Sequence, residues 1–216
     1  LAAGSKYTAC PTLSLLEKAL RDNKRPGVVG RPCQVAPLRK KQAISPDAGR
    51  VPVIIGLFCM WALSYRNLFS YLKSRIDITK VERYDIPEGG FLAYTKDGEK
   101  SFPFEEIKAM RLSTCDLCYD FTAELSDISV GSTEVEEDWN TVIVRTEKGE
   151  AIFEAARKEG VLESKPFKEE RMKVLREASA NKKKRTLSLL KERFGATDGA
   201  PMGYLKLNEK ERGYFQ

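Results

Sequence analysis

The longest apolar run in the chain, Val51 to Leu63 (VPVIIGLFCMWAL), is only 13 residues long. A membrane-spanning helix needs about 20 apolar residues, so the run belongs inside a folded domain. Val51 to Phe58 reads as a buried strand that leads into a helix. A shorter run, Val28-Val29-Gly30, follows the same plan. Each strand is followed by a cysteine, Cys33 or Cys59, and then by a helix. Pro32 suits the first helical position beside Cys33. The second helix covers about Tyr65 to Ile76, with Leu68, Phe69 and Leu72 turned inward. In open α/β sheets, functional groups gather beyond the carboxyl ends of the strands. Cys33 and Cys59 can therefore meet in space although they lie far apart in sequence. A helix N-terminus beside a thiolate also favours its charge.

The rest of the chain fills in around these two units. Thr12 caps a helix through about Asn23, with Leu13, Leu16, Ala19 and Leu20 on one face. Arg39 to Arg50 contains Pro46 and Gly49 and reads mainly as a connection. Gly90 to Thr95, a turn at Lys96 to Glu99, and Lys100 to Phe104 form a β-hairpin. A short helix covers Phe104 to Met110, and a Cys-x-x-Cys loop follows at Cys115 and Cys118. Asp127 to Ser132 and Trp139 to Thr146 read as strands, and Glu150 to Lys158 as a helix closed by Gly160. From about Lys165 to Phe194 the chain is charged and helical, with a weak apolar stripe at Met172, Leu175, Leu187 and Leu190. The expected fold class is α+β with an α/β-like core of short strands each followed by a helix. A β-hairpin insertion, the cysteine loop and a charged C-terminal helical extension complete it. The expected division is a domain over 1–166 and an extension with a tail over 167–216.

Composition narrows the chemistry. The chain has 216 residues, 42% apolar and 31% charged, as in a globular protein. It begins at Leu1, and Leu1-Ala2-Ala3-Gly4 reads like the interior of a fold, so the true N-terminus is expected further upstream. The net charge of +6 favours acidic partners. Much of the excess lies in Lys182-Lys183-Lys184-Arg185, which reads as a solvated helix face or a docking patch. No nucleic-acid-binding motif accompanies it. Histidine is absent and there are five cysteines. The lack of imidazole argues against Ser-His hydrolysis and His-ligated zinc chemistry. An odd number of unevenly spaced cysteines is a poor disulfide framework.

The Cys-x-x-Cys pair lies in a polar loop between two β segments, where a thioredoxin-type dithiol would open a helix. A zinc ribbon wants two such knuckles, but Cys33 and Cys59 stand alone at strand ends. Four thiolates from three segments match a cubane cluster, whose potential depends on burial and on hydrogen bonds to sulfur. A four-thiolate zinc site and plain free thiols remain open alternatives. Cys10 is the fifth cysteine and reads as a small core residue.

Several segments occur together in a fixed order. They are Gly4-Ser5-Lys6-Tyr7-Thr8, Gly30-Arg31-Pro32-Cys33-Gln34, Gly56-Leu57-Phe58-Cys59, Cys115-Asp116-Leu117-Cys118-Tyr119-Asp120, Ala123 to Ser132 and Trp139 to Thr146. From about Leu1 to Pro166, this ordered set closely resembles the beta subunit of coenzyme F420-reducing hydrogenase and its relatives. Those relatives include F420-linked formate dehydrogenase, a sulfite reductase and chlorophyllide-type reductases. The resemblance implies an FAD, one [4Fe–4S] cluster and a docking site for F420. It implies Cys33, Cys59, Cys115 and Cys118 as cluster ligands. It implies Ser5, Lys6, Tyr7 and Thr8 as part of the flavin site, with Gln34, Asp127, Ser129 and Gly131 as further candidates. The expected activity is F420 oxidation or reduction, with hydride transfer between F420 and FAD and single electrons leaving through the cluster. Cofactors carry that chemistry, so no catalytic side chain is expected. The implied partners are hydrogenase, heterodisulfide reductase or formate-dehydrogenase-like redox subunits in the cytoplasm, with no nucleic acid and no membrane span. Two other readings are a related reductase acting on another substrate and a four-cysteine zinc module that binds nucleic acid.

Overall fold

Four short strands form one sheet: β1 (Val28–Gly30), β2 (Ile54–Leu57), β6 (Ile128–Gly131) and β7 (Thr141–Val144). Three more form a separate sheet: β3 (Val81–Asp85), β4 (Gly90–Thr95) and β5 (Gly98–Pro103). The helices are α1 (Leu16–Arg21), α2 (Pro32–Ile44), α3 (Tyr65–Lys73), α4 (Phe104–Lys108), α5 (Glu147–Lys158) and α6 (Glu169–Phe194). This computed structural model describes residues 7–9, 11–22, 24–45, 49–87, 89–132 and 139–194. The chain divides into two units: Trp61–Cys115 with the stretch around Thr8, and Thr12–Met60 with the chain from Asp116 onward. The mixture of helices, a largely parallel sheet and a β-meander is the expected α+β class.

In the second unit the sheet order is β1-β2-β6-β7. β1 pairs parallel with β2 (Val28 opposite Ile54), and β2 pairs parallel with β6 (Ile55 opposite Ile128). β7 closes the edge antiparallel to β6. The central strand is the most apolar, as burial on both faces requires. Leu16, Leu20, Val28, Val35, Leu38, Val51, Ile54 and Ala123 form its core. Gly56 lets the strand be approached closely: a Cβ there would lie 2.3 Å from the Ala123 Cβ and 2.7 Å from the Ser126 Oγ.

Three local features differ from the sequence reading, each for a physical reason. Arg39 to Ile44 is not a connection but the second half of α2. The helix starts with Pro32 at its first position, and the Arg31 N–H donates to the Gln34 side-chain oxygen at 3.0 Å. It tolerates the internal Pro37 and stops at Ser45, which is extended as the residue before Pro46 should be. The strand β3 was not anticipated, because VERYD turns only Tyr84 into the core. Lys182, expected on a solvated face, is 1% exposed. The buried positions Leu175, Lys182, Thr186 and Leu190 share one face of α6.

In the first unit β3, β4 and β5 form an antiparallel meander, with Phe91 opposite Phe102. Its core gathers Leu63, Leu68, Leu72, Tyr84, Phe91, Ala93, Phe102 and Ile107. Ser64 caps α3 by accepting from the Asn67 N–H at 3.4 Å. Among the described residues no helix is long and apolar enough to cross a membrane.

Candidate functional site

Cys59 lies two residues beyond the end of β2. The neighbouring Phe58 N–H donates to Val130 O at 2.9 Å and so extends the β2–β6 pairing by one residue. The Cys59 N–H then turns away to Phe121 O at 2.8 Å. Cys33 occupies the first turn of α2, just beyond the end of β1, and is exposed. Cys118 leaves the short 3-10 helix Ser113–Leu117 and is partly buried. These three thiols belong to the second unit. Cys115 belongs to the first, where its Sγ accepts from the Ala62 N–H at 3.3 Å. Among the described residues, none of the four is joined in a disulfide.

The loop from Cys118 to Asp127 is held from below by a polar network. Ala123 adopts a left-handed φ of 55°, costly for a residue with a Cβ. Its carbonyl accepts from the Ser126 Oγ at 2.8 Å and from the Ser129 Oγ at 3.3 Å. The Arg145 Nε donates to the Ser129 Oγ at 2.8 Å, and its Nη2 donates to the Thr122 Oγ1 at 2.7 Å. Phe58 and Phe121 pack beside Cys59 at 5.5 Å between ring centroids. The packing is close enough that a Cβ on Gly131 would overlap the Phe58 ring, 2.2 Å from its Cγ.

The other side of the loop is held by α6. The Lys182 ammonium donates to Cys59 O, to Asp120 O at 2.7 Å and to the Cys118 Sγ at 3.5 Å. The Thr186 Oγ1 donates to Cys118 O at 3.1 Å, and an Arg185 nitrogen reaches Met60 O at 3.5 Å. Sequence reasoning missed these residues, since a Lys-Lys-Lys-Arg run carries no mark of burial. The spacing of Lys182 and Thr186 from Leu175 and Leu190 was the available signal. Burial pushes the Cys118 thiol up; Lys182 opposes that shift, and Cys33 adds to it. Burial likewise raises the Asp120 carboxyl, with Glu124 adding to it. The Asp120 Oδ2 accepts from the Glu124 N–H at 2.9 Å, while Oδ1 is buried with no hydrogen bond among the described residues.

The remaining candidates fall in different places. Ser5, Lys6 and Cys10 lie outside the described residues. Tyr7, in the first unit, has a left-handed φ of 53° and donates from its hydroxyl to the Asp85 Oδ1 at 3.1 Å. Thr8 bridges to Leu63. Gln34 caps α2. The Asp127 Oδ2 accepts from the Ile54 N–H at 2.8 Å, and Oδ1 accepts from the Thr146 hydroxyl at 3.0 Å and pairs with Arg39 at 2.9 Å. Asp127 and Ser129 thus direct their polar atoms into the fold.

The donor set fits a thiolate-bound group. The Cys115 and Cys118 sulfurs accept from N–H donors, the arrangement that stabilises and tunes a ligating thiolate. Among the described residues, however, no three Cys, Asp or Glu side chains are drawn together as a closed metal site.

Cys33 and Cys59 lie beyond the carboxyl ends of parallel strands, the end of such sheets where functional groups gather. The particular family is clear from comparison with known proteins. Residues 23–170 match the family model for the C-terminal part of the coenzyme F420 hydrogenase/dehydrogenase beta subunit, and the chain belongs to that family of oxidoreductase subunits. It is 34% identical over 194 residues to the coenzyme F420 hydrogenase subunit beta of Methanothermobacter thermautotrophicus, covering 85% of this chain and 69% of that one. It is 37% identical over 171 residues to the subunit of the same name from Methanococcus voltae, covering 76% of this chain and 61% of that one. A chain of the F420-reducing [NiFe] hydrogenase complex from Methanosarcina barkeri superposes with a TM-score of 0.83 at 30% identity, over 89% of this chain and 70% of that chain. The chain therefore spans about two thirds of the length of these relatives.

Proposed function

We propose that this chain is the part of an F420-dependent oxidoreductase subunit that moves electrons between coenzyme F420 and a partner redox subunit. Cys33, Cys59, Cys115 and Cys118 hold a [4Fe–4S] cluster, and FAD binds on the side of the Ser5-Lys6-Tyr7-Thr8 loop. When bound, FAD exchanges a hydride with F420, and the cluster carries the electrons onward one at a time. The partner is a hydrogenase, heterodisulfide reductase or formate-dehydrogenase-like subunit, in a cytoplasmic assembly.

The observation that carries this reading is the environment of Cys118. Its sulfur is mostly removed from water yet receives a hydrogen bond from an ammonium group. A merely structural thiol needs no such partner, whereas a ligating thiolate does. The protein's own tasks follow from the fold. β2 leads into Cys59, the Ala62 N–H steadies the Cys115 sulfur, and Phe58 and Phe121 pack against each other beside Cys59. Arg39, Asp127 and Thr146 lock the start of β2, α2 and the start of α5 together.

The test is visible absorption with iron and zinc analysis on full-length protein purified without oxygen. Broad brown absorbance with about four irons per chain, as a cubane cluster requires, together with flavin bands, is the expected result. One zinc per chain and no colour would overturn the reading.

A further inference from the structure

The charged helix α6 enters the cysteine site through one residue that no sequence motif marks. We infer that Lys182 is a positioning residue of the redox site, whose ammonium pins the Cys59 and Cys118 loops together and sets a fixed positive charge against the Cys118 sulfur. This deepens the proposed function and, for its electrochemical consequence, rests on it.

The geometry argues for a role beyond packing. A lysine is among the residues least often fully buried, because its charge must be matched. Here the side chain is 1% exposed, and among the described residues it makes no direct ion pair with a carboxylate, the Asp120 carboxyl acting on it only through space. Its three acceptors are two backbone carbonyls and a sulfur. A lysine ammonium has three donors and no acceptor, so each donor has its own target. Two of those targets, Cys59 O and the Cys118 Sγ, belong to cysteines on separate segments. A neutral side chain could bridge the carbonyls, but only a charged donor supplies net positive potential at the sulfur. Thr186, one turn further along α6, supplies the contrast: its hydroxyl holds Cys118 O with no charge.

A cluster with four thiolates becomes more negative when it takes up one electron. A buried positive charge beside one ligand therefore favours the reduced form, and its removal favours the oxidised form. Lys182→Met should shift the one-electron equilibrium towards the oxidised cluster by about tenfold, which corresponds to about 59 mV.

The experiment compares full-length wild type with Lys182→Met, Lys182→Gln, Lys182→Arg and Thr186→Val by redox titration followed with electron paramagnetic resonance. Lys182→Gln keeps two donors for the carbonyls without the charge, and it serves if the Met variant does not fold. The expected result is a lowered potential for Met and Gln, with Arg and Thr186→Val close to wild type. Equal shifts for Thr186→Val and Lys182→Met, or an unchanged potential in both neutral variants, would overturn the inference. Nitrogen-15 lysine NMR of the metal-free full-length protein provides a readout that needs no cluster. A slowly exchanging ammonium signal, lost in Lys182→Met and shifted in Cys118→Ser, is expected. Its absence, or its indifference to Cys118→Ser, would overturn the contact itself. If wild type holds no iron, the cluster reading fails, and the NMR result still decides whether Lys182 serves Cys118.

Discussion

Replacing Asp127 by alanine should cost the second unit about 2–5 kcal/mol, an amount assembled from its contacts. The residue is 3% exposed and joins three elements through its two oxygens. Its loss leaves the N–H of fully buried Ile54 without an acceptor, which costs about 1–3 kcal/mol. It also breaks the pair with Arg39, whose side chain is 26% exposed against 4% for Asp127. Such a half-buried pair lies between the surface and buried extremes and adds about 1–2 kcal/mol. Asp127→Asn keeps an acceptor for Ile54 and should lose about half as much. The assay is urea unfolding in a Trp61→Phe background, where Trp139 fluorescence reports the second unit. The wild-type response to pH is an internal check. Burial pushes the Asp127 carboxyl up, but the Ile54 N–H, the Thr146 hydroxyl and Arg39 together outweigh it, so its pKa lies below the ordinary 3.8. A carboxyl depressed in the folded state contributes fully above its unfolded value, and that contribution is lost as pH falls through the folded value. The gap between wild type and Asp127→Asn should therefore be constant above about pH 5 and narrow below about pH 4. A cost under about 1 kcal/mol, or a gap that widens in acid, would refute the brace.

Two further perturbations test the packing of each unit. Gly56→Ala should lower the Trp139 unfolding midpoint by an amount equivalent to about 1–3 kcal/mol, because its Cβ overlaps Ala123 and Ser126. It should also reduce iron incorporation, since β2 carries Cys59. Phe91→Ala removes the fully buried ring at the centre of the first unit and should cost about 3–5 kcal/mol, read from Trp61 in a Trp139→Phe background.

Much of the scaffold was legible because it rests on local rules. Val28 to Gly30 and Ile54 to Leu57 announce themselves as buried strands by their unbroken apolar character, and Pro32 marks the start of α2. The hairpin at Asp97-Gly98 is equally local. What was illegible depends on tertiary partners. Lys182 looks like its solvated neighbour Lys184 until the Cys118 and Cys59 loops are brought to it. Asp127 reads as a candidate for binding, yet its contacts lie with Ile54, Thr146 and Arg39, which are distant in sequence. β3 is hidden because an edge strand with one inward residue, Tyr84, has no clear alternation. The family pattern marked the cysteines; it carried no information about the helix that supports them.

The most direct measurement mixes reduced F420, without oxygen, with full-length protein that carries both cofactors, in the presence of a one-electron dye. Each F420 supplies two electrons, so the account predicts oxidation of F420 with two equivalents of dye reduced, and loss of dye reduction in Cys118→Ser. Protein loaded with both cofactors that leaves F420 reduced, or a Cys118→Ser variant that reduces the dye at the wild-type rate, would contradict it.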